Sequence, residues 1–243
     1  MSVKRKAKNV FNLYANYSMD GILIVDKPQG CTSHDVVDFI RKRFGLKKVG
    51  HAGTLDPMAT GVLVILIGKH TKSSNSFLSA DKEYDATLML GATSDTGDAW
   101  GRVDNSGNFK ALDNKEVEKA FNKFLGAIEQ IPPAYSAVKF KGKKLYEFAR
   151  KGIEVKLEPR KVVIKELKIY KIDGQEVSFS ATCSKGTYIR QLCMDIGKEL
   201  GCGAYLSRLR RMRSGEFTVK EATTLEELKG MDAETLRNRL KGA

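Results

Sequence analysis

The segment Gly50-His51-Ala52-Gly53-Thr54-Leu55-Asp56-Pro57-Met58-Ala59-Thr60-Gly61 packs three glycines and one proline into twelve residues and then runs straight into the aliphatic stretch Val62 to Ile67. Glycine tolerates positive φ, and proline fixes its own φ while driving the preceding residue out of the helical region. So many breakers predict a loop over the whole segment, with Asp56 aimed outward by the proline that follows it. The run from Gly61 to Gly68 is short and β-branched, and it reads as a buried strand, although period alone does not separate it from a buried helical turn. Any fold for this chain must hang a shaped loop from the end of a core strand. An isolated Asp-Pro pair usually just organises a turn, so Asp56 acquires further meaning only from its neighbours.

Elements on either side follow from pattern. Gly21 to Val25 is a buried-strand run halted by Lys27-Pro28-Gln29-Gly30, and a helix follows with Ser33 as its cap, Val36, Val37, Ile40 and Phe44 on one face, and Gly45 as its end. Tyr84, Ala86, Leu88 and Leu90 alternate with polar or flexible residues as in a half-buried strand. Asp113 with Glu116 opens a helix whose apolar face is Val117, Phe121, Phe124 and Leu125, closed by Gly126. Val162 to Tyr170 and Val177 to Cys183 flank Asp173-Gly174 as a hairpin. Ile189, Leu192, Ile196 and Leu200 mark a further helix begun near Thr187, and Thr224 with Glu227 caps a last one. Strands interleaved irregularly with helices, and a hairpin among them, predict the α+β class with a mixed, largely antiparallel sheet flanked by helices.

Charge narrows the partner. The 243 residues hold 42 Lys and Arg against 29 Asp and Glu, a formal net charge of +13 that attracts polyanions. The basic residues gather at Arg41-Lys42-Arg43 with Lys47-Lys48, at Lys139, Lys141, Lys143 and Lys144, and at Arg208, Arg210, Arg211 and Arg213, positions suited to phosphate contacts or to a solvated surface. Residues 1–19 read as a basic arm, and residues 20–243 as the folded part. The four cysteines, Cys31, Cys183, Cys193 and Cys202, form no CxxC pair, and the longest aliphatic run is six residues, so a reducing cytoplasm and no membrane are expected. Asp95 and Asp98 have a D-x-x-D spacing, but the Thr and Gly between them suit an Asx-type turn, and no metal is expected.

The loop is closely similar to the G-H-x-G-x-L-D-P-x-A-T-G pattern of the TruB family of tRNA pseudouridine synthases. The likeness continues upstream in Val25-Asp26-Lys27-Pro28-Gln29-Gly30-Cys31-Thr32-Ser33 and downstream in Lys82-Glu83-Tyr84 and Asp95-Thr96-Gly97-Asp98. It returns in Cys183-Ser184-Lys185-Gly186-Thr187-Tyr188-Ile189-Arg190 and in Gly201-Cys202-Gly203-Ala204-Tyr205-Leu206. Several motifs in order over roughly residues 20 to 220 are far more specific than any one of them.

This resemblance implies a pseudouridine-synthase fold with an active-site cleft across the sheet, and isomerisation of the uridine at position 55 in the T-arm loop of tRNA, with base flipping and no cofactor. Asp56 is then the carboxylate that either adds to C1′ or removes a neighbouring proton, as in glycosidic-bond chemistry. Arg190 would pair with it and keep it ionised in a water-poor pocket. Tyr84 would stack on the flipped uracil and is a weak base at neutral pH. Tyr188 and Leu206 would wall the pocket, His51 would enter the RNA loop, and Asp98 would lie at the substrate. Lys27 would brace the strand-end turn or approach phosphate.

Only about 25 residues follow Arg213-Ser214-Gly215-Glu216-Phe217, so the C-terminal RNA-binding domain usual in bacterial relatives is expected to be missing or much reduced. The extension of guide-RNA-dependent relatives is lacking too, which favours a monomer acting on tRNA without guide RNA or obligate protein partner. Two rivals remain open: an RNA-folding protein that uses the same groove, and a nucleotide-directed enzyme of another class. A zinc deaminase needs an H-x-E with P-C-x-x-C set, which the sequence lacks, and a glycosidase needs a second acid beside Asp56.

Overall fold

The computed structural model describes residues 19–105 and 112–242, so the expected basic arm lies, apart from Met19, outside the described residues. The chain divides into two compact units, one formed by Met1–Ala80 with Arg211–Ala243 and the other by Asp81–Arg210. The chain passes from the second unit back into the first within the strand Ala204–Ser214.

In the first unit the strand Gly21–Lys27 pairs antiparallel with Thr60–Ile67, in register from Gly21 opposite Ile67 to Lys27 opposite Gly61. Thr60–Ile67 also takes Val49–Ala52 antiparallel, and Thr223–Thr224 lies parallel to Gly21–Lys27. The aliphatic run is thus a strand. Ile22, Ile24, Ala52, Val62, Val64, Leu66 and Phe217 pack into one cluster, where each fully buried aliphatic side chain contributes about 1.5–3 kcal/mol. Lys241 bridges back to Ile22 through two backbone hydrogen bonds of 2.9 Å.

The helix Ser33–Phe44 buries Val36, Val37, Ile40 and Phe44 and ends at Gly45, whose φ of 64° is left-handed. Its cap is Thr32 rather than Ser33. The Thr32 hydroxyl accepts from the Asp35 amide, and the Asp35 carboxylate accepts from the Thr32 amide at 2.8 Å and the Thr32 hydroxyl at 2.7 Å. The reciprocal box requires an acid three residues on, and only Thr32 has one. Ser33 is thereby released for another task.

In the second unit four strands lie in the order Lys82–Leu90, Glu176–Cys183, Arg160–Asp173, Gly126–Gln130, every neighbour antiparallel. The expected hairpin turns between Asp173 and Glu176. Along Glu176–Cys183, Val177, Phe179, Ala181 and Cys183 are buried, and Phe179 meets Phe121 edge-on with centroids 5.2 Å apart. Phe121 comes from the helix Asn114–Asn122, capped reciprocally by Asp113 and Glu116, which also touches the helix Ile189–Glu199. The former helix stops short of Leu125. Tighter turns from Lys123 and Phe124 back to Ala120 and Phe121 end it, and Leu125 is left exposed instead of joining the apolar face.

The ladders described above are antiparallel apart from that of Thr223–Thr224, and they lie among helices, so the α+β class read from pattern is the class observed. No helix among the described residues is long and apolar enough to cross a membrane.

Candidate active site

The breaker-rich segment is less irregular than its composition implies. Gly50, His51 and Ala52 belong to the strand Val49–Ala52, and Thr60 and Gly61 open the next strand, because both stretches find ladder partners in the core sheet. The irregular part is Gly53 to Ala59, and its backbone is fixed one carbonyl at a time. Arg211 donates from Nη2 to Gly53 O at 3.0 Å, from Nη1 to Thr54 O at 3.4 Å, and from Nε to Val62 O at 2.7 Å. The Ser33 hydroxyl accepts from Leu55 N at 2.8 Å and donates to Leu55 O at 3.1 Å. Ala59 N donates to Asp56 O at 3.0 Å, and Pro57 O accepts from Gly30 N at 3.0 Å and from Lys27 Nζ at 3.5 Å.

Five consecutive carbonyls, from Gly53 to Pro57, therefore all have donors. The side chains of Leu55 and Met58 are sunk in the core, while Asp56 between them is half-buried. The result is a carboxylate on a backbone with little freedom, which is what nucleophilic or base chemistry at a fixed sugar carbon demands. Gly61 completes the frame. Its φ is +100°, and an added Cβ would stand 2.2 Å from Arg211 O.

Lys27 is wholly buried and donates at 2.8 Å to both Pro28 O and Cys31 O, besides its longer reach to Pro57 O. Its three protons go to three carbonyls, which is a brace for the turn. Burial, the largest influence, pushes its pKa below the ordinary lysine value, while neighbouring Cys31 and Asp56 push it up and Arg211 pushes it down again. Asp56, Lys27 and Arg211 thus form one electrostatic group. His51 sits on the Val49–Ala52 strand opposite Ile65 and is half-buried.

Arg211 is a correction. Its sequence neighbours suggested a phosphate-contacting cluster, yet it is 1% exposed and turned into the core. The signal was present: counting by twos along Ala204–Ser214 from buried Leu209 puts Arg211 on the same face. Arg43 likewise serves the fold, donating to Lys229 O at 3.1 Å and Met231 O at 2.8 Å at the end of the helix Leu225–Gly230.

In the second unit Arg190 is the organising residue. It lies in the first turn of Ile189–Glu199, a helix that starts two residues later than Thr187, and it is 3% exposed rather than a surface side chain. Nη1 donates to Thr96 O at 2.7 Å and Nη2 to Tyr135 O at 2.8 Å, while Nε stands 3.7 Å from the Asp98 carboxylate. Asp98 is itself buried and accepts from the Thr96 hydroxyl at 2.8 Å and from Trp100 N at 3.0 Å. Asp95 accepts from Arg102 N at 2.8 Å. These two acids organise the turn and the arginine.

Tyr188 is the residue just before the helix, and its backbone N–H and C=O both bond the Gln130 side chain, at 3.0 and 3.3 Å. Leu206 is fully buried, and its backbone bonds Gly97 and Ala99 at 3.0 Å each. Tyr84 is 8% exposed on the strand Lys82–Leu90, opposite Ala181. The expected residues thus fall into two groups: Asp56, Lys27 and His51 in the first unit, and Tyr84, Asp98, Tyr188, Arg190 and Leu206 in the second. Ser33, Gln130 and Tyr135 were missed in these roles, because a carbonyl that needs a distant donor leaves no local pattern, whereas the inward turn of Arg211 was written in the alternation of its strand.

Comparison with known proteins agrees with the motif. Residues 41–189 match the family described as TruB family pseudouridylate synthase (N terminal domain), and residues 190–242 match that described as tRNA pseudouridylate synthase B C-terminal domain. The chain is 49% identical over 216 residues to a tRNA pseudouridine synthase B of Syntrophotalea carbinolica, covering 89% of the chain and 71% of that protein. It is 47% identical over 221 residues to one from Psychrobacter cryohalolentis, with 89% of the chain and 62% of that protein covered. Among solved structures, a Cbf5-Nop10-Gar1 complex matches with a TM-score of 0.72 at 31% identity, over 95% of this chain and 61% of the other. The chain therefore spans between about three fifths and seven tenths of the length of these relatives.

Proposed function

Since the chain belongs to the TruB family of pseudouridylate synthases, we propose that it converts a uridine of tRNA to pseudouridine, at position 55 in the T-arm loop. The reaction breaks the N1–C1′ bond, turns the uracil, joins C5 to C1′, and moves a proton from C5 to N1. Atoms and oxidation state balance without an added group, so the chemistry calls for no cofactor. The target nucleotide leaves its stack so that C1′ and C5 become reachable. Asp56 then acts on the sugar, either by adding to C1′ or by removing a neighbouring proton.

Arg190 supplies the positive charge that favours an ionised acid in a dry pocket, and Asp98 holds that arginine in place. Tyr84 stacks on the displaced uracil, Tyr188 and Leu206 shape the pocket, and His51 occupies space within the RNA loop. The observation that supports this reading most strongly is the complete G-H-x-G-x-L-D-P-x-A-T-G motif on a backbone whose carbonyls are held from Gly53 to Pro57. On this reading the chain acts in the cytoplasm as a monomer without guide RNA, and residues 20–243 form the catalytic part.

The test is incubation of an unmodified tRNA transcript with the protein, followed by carbodiimide mapping of pseudouridine to single-nucleotide resolution. Modification at position 55 by the wild type, and its loss in Asp56→Asn with RNA binding retained, is the expected result. Free uracil among the products, or no pseudouridine at all, overturns the proposal. A cellular role that survives Asp56→Asn would favour the second reading, an RNA-folding factor whose catalysis is secondary.

A further inference from the structure

The chain has a single tryptophan, Trp100, and it is 53% exposed. A lone exposed apolar side chain is ordinary on a protein surface. What sets Trp100 apart is the support beneath it. Its amide donates to Oδ1 of Asp98 at 3.0 Å, and Oδ2 of that same carboxylate faces Arg190 Nε at 3.7 Å. One buried acid therefore links the backbone of the exposed indole to the arginine of the candidate active site.

The turn that carries the indole is tied down on every side. The Ser94 hydroxyl donates to Asp98 O at 2.6 Å, Ala99 N to Leu206 O at 3.0 Å, Gly101 N to Asp98 O at 3.3 Å, and Arg102 N to the Asp95 carboxylate at 2.8 Å. An aromatic ring on so fixed a backbone loses little freedom when something binds it. Along the chain its neighbours Asp95, Thr96, Asp98 and Arg102 are polar or charged. A π-face beside an exposed arginine, on a chain of net charge +13, suits a nucleobase.

We propose that Trp100 is a stacking platform for an unpaired RNA base flanking the nucleotide handled at Arg190. The inference rests on the RNA-modifying reading above. It makes Trp100 a substrate-binding residue outside the motifs that carry the family resemblance, one that orients the loop and leaves the chemical step to other groups.

Because Trp100 is the only indole, its fluorescence reports on this site alone when excited at the red edge of indole absorption. A T-arm stem-loop transcript titrated into the full chain is expected to quench that emission saturably. Trp100→Ala should raise KM for pseudouridine formation about ten-fold with kcat within about twofold, and Trp100→Phe should recover most of the loss. Should the wild type bind and modify the RNA with unchanged emission, or Trp100→Ala keep the wild-type KM, the stacking role is refuted while the enzymatic reading stands. Equal quenching by a fully paired duplex refutes it as well. A wild type that neither binds nor modifies RNA removes both.

Discussion

Ser33→Ala isolates the effect of loop rigidity, because it deletes one oxygen and leaves every catalytic group intact. Ser33 is 2% exposed, and its hydroxyl makes two bonds to Leu55, accepting from N at 2.8 Å and donating to O at 3.1 Å. Without it the Leu55 amide is buried and unpaired, at a cost of about 1–3 kcal/mol, and the second bond takes with it about 0.5–1.5 kcal/mol. The expected loss of stability is about 2–4 kcal/mol, a fall in Tm of about 4–16 °C for a chain of this size. Leu55 immediately precedes Asp56, and a displacement of about 1 Å at a reacting group costs on the order of 100-fold in rate. We therefore expect kcat for pseudouridine formation to fall about 10- to 100-fold with KM within about twofold. Thr32→Ala is the matched control: it removes the cap of the same helix at about 1 kcal/mol and makes no contact with the loop carbonyls. Steady-state kinetics and thermal unfolding of both variants decide the matter. If Ser33→Ala depresses kcat no more than Thr32→Ala does, the loop is not rate-determining and the reasoning is wrong.

Two further outcomes follow from the same geometry. Gly61→Ala should be strongly destabilising, by about 3 kcal/mol or more, because a left-handed φ of +100° and a backbone oxygen 2.2 Å away leave the new methyl nowhere to go; Gly230→Ala, with nothing within 4 Å, should stay within about 1 kcal/mol, and equal melting temperatures for the two would contradict this. Asp35 and Glu227 have pKa values held below the ordinary carboxylate range, Asp35 by hydrogen bonds from the Thr32 side chain and amide, Glu227 by those from the Thr224 amide and side chain. Their folded values lie below their unfolded ones, so the stability they add is present above about pH 4 and fades as pH falls through the depressed values; a Thr32→Ala/Thr224→Ala variant should melt with a flatter acid limb, and parallel curves would refute the linkage.

What the sequence revealed and what it hid divide along a physical line. The capping boxes at Asp113 and Thr224, the Asp173-Gly174 hairpin and the Tyr84 strand were legible because each is written in residues a few positions apart. Ser33 was misread by one position, since Ser and Thr are near-equal caps and the deciding residue was Asp35. The family motif was also legible, as Asp56 and Arg190 stand in contiguous strings. Their supports were not. Ser33 reaches Leu55 across 22 residues and Arg211 reaches Gly53 across 158, and although alternation along its strand marks Arg211 as inward-facing, nothing local says which peptide oxygens it will bond. Net charge misled there, because a guanidinium satisfied by carbonyls counts the same in composition as one awaiting phosphate.

The first unit takes in Arg211 and the segment that follows it, and this imposes a timetable on synthesis. When Asp56 leaves the ribosome, the guanidinium that will hold Gly53 and Thr54 has yet to be translated. At about 5–20 residues per second, the interval is on the order of 10–30 s. During that time the nascent chain carries its acid on an unfastened tether, so the polypeptide becomes competent only near completion, and a truncated product lacking its last strands would be inert toward RNA even with every residue of the reactive motif in place.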